Sequence, residues 1–142
     1  SEADGGQHGR AVDGRGKDGL LSSLSCTQTE WELDPWWSVD LERRQLVSAV
    51  QVWNRRFGTD SERLTGFRVL ISDTVPDRLS DARVCFEHDG LETPGAVTLA
   101  PCGLWGRFVL IHLRGGPWEL SVCEVEVLSQ VCLPCPSGSW CP

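Results

Sequence analysis

The sequence predicts an all-β sandwich. Two observations carry that expectation, and the cysteines add the setting. Short runs rich in Val, Ile, Leu, Trp and Phe recur between turns containing Gly, Pro and Asp. No stretch shows a long amphipathic helix of 3.6-residue period. Cys26, Cys85, Cys102 and Cys123 lie far apart along the body. Such spacing suits disulfides in an extracellular domain better than a zinc site, which pairs close cysteines. The spacing alone leaves their connectivity open.

Residues 1–19 are polar and Gly-rich and read as loop, with Asp13-Gly14 as a turn signal. PWWSVDL (35–41) mixes aromatics with alternation and reads as a strand. LVSAVQVW (46–53) is the next. It sets Val47, Ala49, Gln51 and Trp53 on one face and Leu46, Ser48, Val50 and Val52 on the other. A short helical turn is expected within 74–82, after the apolar strand GFRVLIS (66–72). RFVLIHL (107–113) and WELSVCEVEVL (118–128) complete the strands. In the last, Ser121, Cys123, Val125 and Val127 share one face, and Glu124 and Glu126 the other. The tail from Cys132 follows a C-x2-C-x5-C rhythm with Pro and Gly between. It reads as the start of a following cysteine-rich module or a linker (131–142), after one domain over 1–130. A redox C-x-x-C needs a strand-helix setting that is missing from the pattern around it.

At 142 residues the chain has the size of one ordinary domain, and 40% hydrophobic with 23% charged residues is a globular composition. A formal net charge of −7 argues against a nucleic-acid partner, which requires a basic face, and against a basic membrane-surface patch. No apolar run approaches the ~18 residues of a membrane helix, so no membrane insertion is expected of this segment. The chain opens on Ser1 rather than Met, as expected of a processed chain or a piece of a larger protein. Gly14-x-Gly16-x-x-Gly19 matches a dinucleotide fingerprint in form only, because no strand feeds it and no helix opens after it. His8, His88 and His112 lack metal-ligand spacing, and His112, inside a strand, reads as structural. No nucleophile–base or paired-carboxylate arrangement stands out, so no enzyme is expected.

Several segments together resemble the F-type lectin (fucolectin) family. They are Ala11-Val12-Asp13-Gly14, Ser25-Cys26-Thr27-x-Thr29, DPWWSVDL (34–41), Val50-Gln51-Val52-Trp53-Asn54-Arg55, SERLTGFRVLISD (61–73), GRFVLIHL (106–113) and LSVCEVEVL (120–128). The resemblance implies a discoidin-like jelly-roll β-sandwich. It implies disulfides Cys26–Cys123 and Cys85–Cys102. The family's adjacent cysteine pair is absent, with Gly58-Thr59 or Thr59-Asp60 in its place. The family also has a further N-terminal segment, whereas only ten residues precede Ala11. An edge strand is therefore expected to be missing or dispensable.

The resemblance implies a structural Ca²⁺ where an early loop meets the last strand. Asp13 and Glu124 match its carboxylate ligands. Ser25 matches a position giving hydroxyl and carbonyl oxygen, and Arg10, Arg15 and Cys123 match positions giving backbone carbonyls. A hard cation taking six to eight oxygens suits such a set. Taken singly, Asp13 could cap a turn and Glu124 could be a solvated strand residue. Their joint position beside Cys26 and Cys123 favours calcium.

The family's fucose motif is His, twenty-six residues, Arg-x-Asp, then a further cation. Gln28 stands in the His position, Arg55 follows after the required interval, Phe57 replaces the aspartate, and Arg63 matches the last cation after one extra residue. Guanidinium groups donate fixed forks of N–H bonds to sugar hydroxyls. Gln28 can replace a His hydrogen bond in type, with a different reach. Loss of the aspartate removes support for the cations unless Asp60 or Glu62 substitutes. Phe57 could offer a sugar an apolar face. The implied function is an extracellular, calcium-containing lectin domain, secreted or in an ectodomain, binding fucosylated or other glycans with weakened or altered specificity. The other reading is a discoidin-like adhesion or protein-interaction module without sugar binding, in which Arg55 and Arg63 pair with surface acids.

Overall fold

In the computed structural model, residue 12, residues 26–55 and residues 62–130 are described. Arg10, Asp13, Arg15, Ser25, Phe57, Asp60 and the cysteines of the tail lie outside them.

The described residues form seven strands in two antiparallel sheets. The larger takes the order β4(Arg83–Glu87), β3(Phe67–Ser72), β5(Val97–Leu113), β2(Trp36–Trp53), β7(Glu124–Gln130), and β1(Thr27–Gln28) pairs with β6(Ser121–Val122) in the smaller. A 3-10 turn, Leu79–Asp81, falls inside the expected helical segment. The all-β sandwich expected from the sequence is the observed fold.

The core lies between the sheets. Val50 and Val52 of β2, Phe67, Val69 and Ile71 of β3, Val109 and Ile111 of β5, Val125 of β7, and Leu120 and Val122 on the β6 side belong to one buried cluster. The alternate residues Leu70, Phe108 and Leu110 form a second cluster, covered by Leu79 and Ala82 beside the 3-10 turn. This explains why FRVLIS is a continuous apolar run, since β3 is buried on both faces.

Two expectations are corrected. The runs 35–41 and 46–53 belong to one strand, β2, whose pairing with β5 lapses between Asp40 and Gln45. There Glu42 adopts φ 69°, its N–H donates to Asp40 Oδ1 at 2.7 Å, and Arg107 clasps the Asp40 carboxylate at 2.8 and 2.9 Å. A register shift between Val47 and Ala49 breaks strict alternation. Val47 is consequently buried along with Val50 and Val52, rather than on the opposite face. Similarly, 118–128 is divided at Cys123, and both Cys123 and Glu124 are buried, so the expected alternation of faces fails there.

Disulfides join Cys26 to Cys123 and Cys85 to Cys102, as the resemblance implies. The first ties the start of β1 to the β6–β7 junction. The second links edge strand β4 to β5.

Candidate functional site

The candidate site lies at the end of the sandwich where the β1–β6 ladder runs out. Gln28 pairs with Ser121, and the ladder continues through Thr29 N–H to the Leu120 carbonyl at 2.9 Å and the Leu120 N–H to Thr29 Oγ1 at 3.0 Å. It closes at the isolated Glu32–Trp118 bridge.

Gln28 and Arg55, read as motif partners from the sequence, meet directly. Arg55 Nη1 donates to Gln28 Oε1 at 3.0 Å. The Arg55 backbone is set by Asn54, a buried residue at the end of β2 whose role the sequence reading missed. Asn54 Nδ2 donates to the Pro94 carbonyl at 3.0 Å, and Asn54 Oδ1 accepts the Arg55 N–H at 2.8 Å. Its own N–H donates to the Ala96 carbonyl at 3.0 Å. Asn54 therefore ties the end of β2 to the approach of β5 and aims the following arginine.

Arg63 forms a half-buried ion pair with Glu119 at 2.9 Å. Glu119 precedes Leu120 on the same ladder that carries Gln28. The arginine side chain and this ion pair line a cleft of about 530 Å³ that also takes in Trp31, His88, Arg114 and Trp118. Gln28 and Arg55 are not among its lining residues. From Gln28 to the ladder position opposite Glu119 is two residues, ~7 Å of strand. The structure thus holds the first pair in contact and ties Arg63, through Glu119, to a point further along that ladder.

The cleft wall is built by His88, another residue to which the sequence assigned no role. Its Nδ1 accepts N–H bonds from Gly66 and Gly90, each at 3.1 Å, and its ring stacks on Phe67 at 5.8 Å. Two backbone donors to Nδ1 require the tautomer protonated on Nε2. Gly66 and Gly90 have φ of 75° and 73°, a conformation that favours glycine.

The opposite rim is the 114–118 loop. Asp34 N–H donates to the Gly115 carbonyl at 2.9 Å, while Gly115 N–H donates to Asp34 Oδ1 at 2.7 Å. Beneath it, His112 is 2% exposed, as befits the structural role read from the sequence. Its Nδ1 accepts from Arg68 Nη2 at 3.0 Å, and Nε2 lies 3.6 Å from Asp34 Oδ1. Burial pushes its pKa down from the ordinary 6.5, and the neighbouring Arg68 charge pushes the same way, against Asp34.

Glu124 is 3% exposed, which removes the alternative of a solvated strand residue. Glu126 is half-buried. Cys123 N–H donates to the Trp53 carbonyl at 2.9 Å, holding the disulfide against β2. No group of three or more His, Cys, Asp or Glu capable of holding a metal occurs among the described residues. Arg10, Asp13, Arg15 and Ser25, the remaining expected calcium ligands, fall outside them.

Residues 10–111 match the NedA-like, galactose-binding domain family (F5/F8 type C). Fucolectin-1 of Anguilla japonica is 32% identical over 120 residues, covering 84% of this chain and 66% of the relative. The chain belongs to this family and is an F-type lectin domain. It spans 66% of the length of fucolectin-1 and 62% of fucolectin-5 of the same species. Among solved structures, the F-type lectin from striped bass (Morone saxatilis) serum superposes with a TM-score of 0.80 at 32% identity, over 92% of this chain and 44% of that one. The lectin domain of lectinolysin, solved with Lewis b antigen, gives 0.76 at 30% identity, over 92% and 89%.

Proposed function

We propose that this F-type lectin domain binds fucosylated glycans as part of an extracellular protein, without catalysing a reaction. The observation that carries the reading is the Gln28–Arg55 hydrogen bond. Gln28 occupies the motif's His position, and its Oε1 holds the Arg55 guanidinium at 3.0 Å. A sugar hydroxyl is recognised by donors fixed in advance, and an amide oxygen fixes a guanidinium as an imidazole nitrogen would. Arg63, anchored by Glu119 beside that ladder, supplies the second cation. Two disulfides support the extracellular setting.

A structural calcium ion belongs to the same reading. Glu124 offers a carboxylate, the donor type that a hard cation prefers. It is buried beside the Cys26–Cys123 bridge. The adjoining bridge joins Cys26, which follows Ser25 in the sequence, to Cys123, which precedes Glu124. Glu124 and Asp13 would hold the ion by side chain, Ser25 by its oxygens, and Arg10, Arg15 and Cys123 by carbonyls. The ion would supply positive charge that fixes the loop, with no part in chemistry.

A glycan array in calcium-containing buffer tests the sugar reading. The wild-type domain is expected to retain fucosylated glycans, and Arg55→Ala to lose at least about tenfold in affinity. Silence of the wild-type domain across the array would instead support the protein-interaction module.

A further inference from the structure

We propose that Trp31 and Trp118 form a second saccharide subsite beside the Arg63–Glu119 ion pair, receiving the pyranose ring next to the fucose. The inference rests on the lectin reading and extends it to the length of glycan recognised.

Both indoles line the 530 Å³ cleft and are largely in solvent, Trp31 63% and Trp118 48% exposed. The cleft volume falls within the range of small-ligand sites. Large exposed aromatic surface in a cleft is uncommon on a free-standing domain and marks a binding surface. A pyranose presents a C–H face and a rim of hydroxyls. The cleft presents the complement, aromatic faces beside a guanidinium–carboxylate pair that can both donate and accept.

Trp118 is also held in place. A Cβ at Gly116 would meet Trp118 N at 3.0 Å and its Cδ1 at 3.1 Å, so the ring packs onto bare glycine backbone. Gly116 has φ of 121°, and Asp34 fastens the adjoining Gly115 from both sides. The Trp118 backbone is fixed in turn by reciprocal hydrogen bonds with Glu32 at 2.9 and 3.0 Å. Fixing a ring before the ligand arrives lowers the ordering cost of binding. The two strand steps from Gln28 to the Glu119 level match a pair of linked rings, one at Gln28–Arg55 and the next against the tryptophans.

Titration calorimetry with L-fucose and with 2′-fucosyllactose tests the subsite. The trisaccharide is expected to bind about tenfold more tightly than the monosaccharide. Trp31→Ala and Trp118→Ala should bring that ratio close to one, while Trp118→Phe, which keeps a ring, should preserve much of it. Circular dichroism and thermal unfolding check that each variant folds. Equal affinities for the two sugars, or a ratio that survives both alanine variants in folded protein, overturn the subsite and leave the lectin reading intact. Failure of the wild-type domain to bind either sugar overturns both.

Discussion

Asn54 and His112 carry structural duties that their neighbours at the candidate site depend on. Asn54 uses both ends of its amide, toward Pro94 and toward Arg55. Asn54→Ala strands the buried Pro94 carbonyl and releases the Arg55 backbone. A loss of about 1–3 kcal/mol in urea unfolding is expected, together with weaker glycan retention. His112 acts through its protonation state. Its Nδ1 accepts from Arg68, and its folded pKa lies below 6.5, chiefly because it is buried. The unfolded chain therefore binds a proton at this residue before the folded chain does. Stability is fully present above about pH 6.5 and declines as pH falls toward the lowered folded value, by up to about 1.4 kcal/mol per unit. Asp34 opposes the shift, whereas Arg68 and Arg114 reinforce it. His112→Gln keeps an acceptor for Arg68 but removes the titration. Urea midpoints at about pH 7.5 and about pH 5.5 should fall further in the wild type than in the variant. Asp40, lowered by Arg107, acts only in a more acid window, below its ordinary 3.8.

The elements legible in the sequence are those whose pattern one burial environment dictates. FRVLIS and RFVLIHL lie in strands buried on both faces and read as unbroken apolar runs. The missed strands had composition against them. β4, RVCFE, is a short edge strand with charged ends and half-buried centre residues. The first part of β5 contains Pro101, Gly103 and Gly106, all poor strand formers. Pro101 is tolerated because it faces Ala49 at the register shift in β2. Gly106 has a packing reason, since a Cβ there would stand 2.1 Å from Ile71 Cγ2 and 3.1 Å from the Ser72 carbonyl. Ile71 is fully buried and β-branched, so it has little room to yield. Gly106→Ala should destabilise by about 1–3 kcal/mol, whereas Gly95→Ala, in open space, should stay within about 0.5 kcal/mol. At the site, motif spacing pointed to Gln28 and Arg55, which touch. Glu119, His88 and Asn54 were hidden because their partners come from distant parts of the chain. Arg63 and Glu119 are brought together by the ladder, and local charge patterning around Glu62 gives no hint of it.

On the scale of the whole molecule, the Cys26–Cys123 bridge fixes the β6–β7 junction, where the proposed calcium ion would also act. The disulfide spans a sequence separation of 97, and closing so long a loop restricts the unfolded chain by about 4–5 kcal/mol in the entropy account. Calcium bound only to the folded state adds about 2.7 kcal/mol at a hundredfold excess over its dissociation constant. With Glu124 as a ligand these contributions would be coupled, because the bridge ends on Cys123, the residue before Glu124. Two groups sharing one structural element do not contribute additively. In the intact domain, chelation with EGTA should lower the melting temperature, and Glu124→Gln should abolish that response. In Cys26→Ser/Cys123→Ser the starting stability is lower, and the calcium response should shrink as well, because the ion must then order the segment unaided. An EGTA response of equal size with and without the bridge would place the ion away from this junction. No response in the disulfide-intact domain would show that Glu124 is neutralised by protein groups alone.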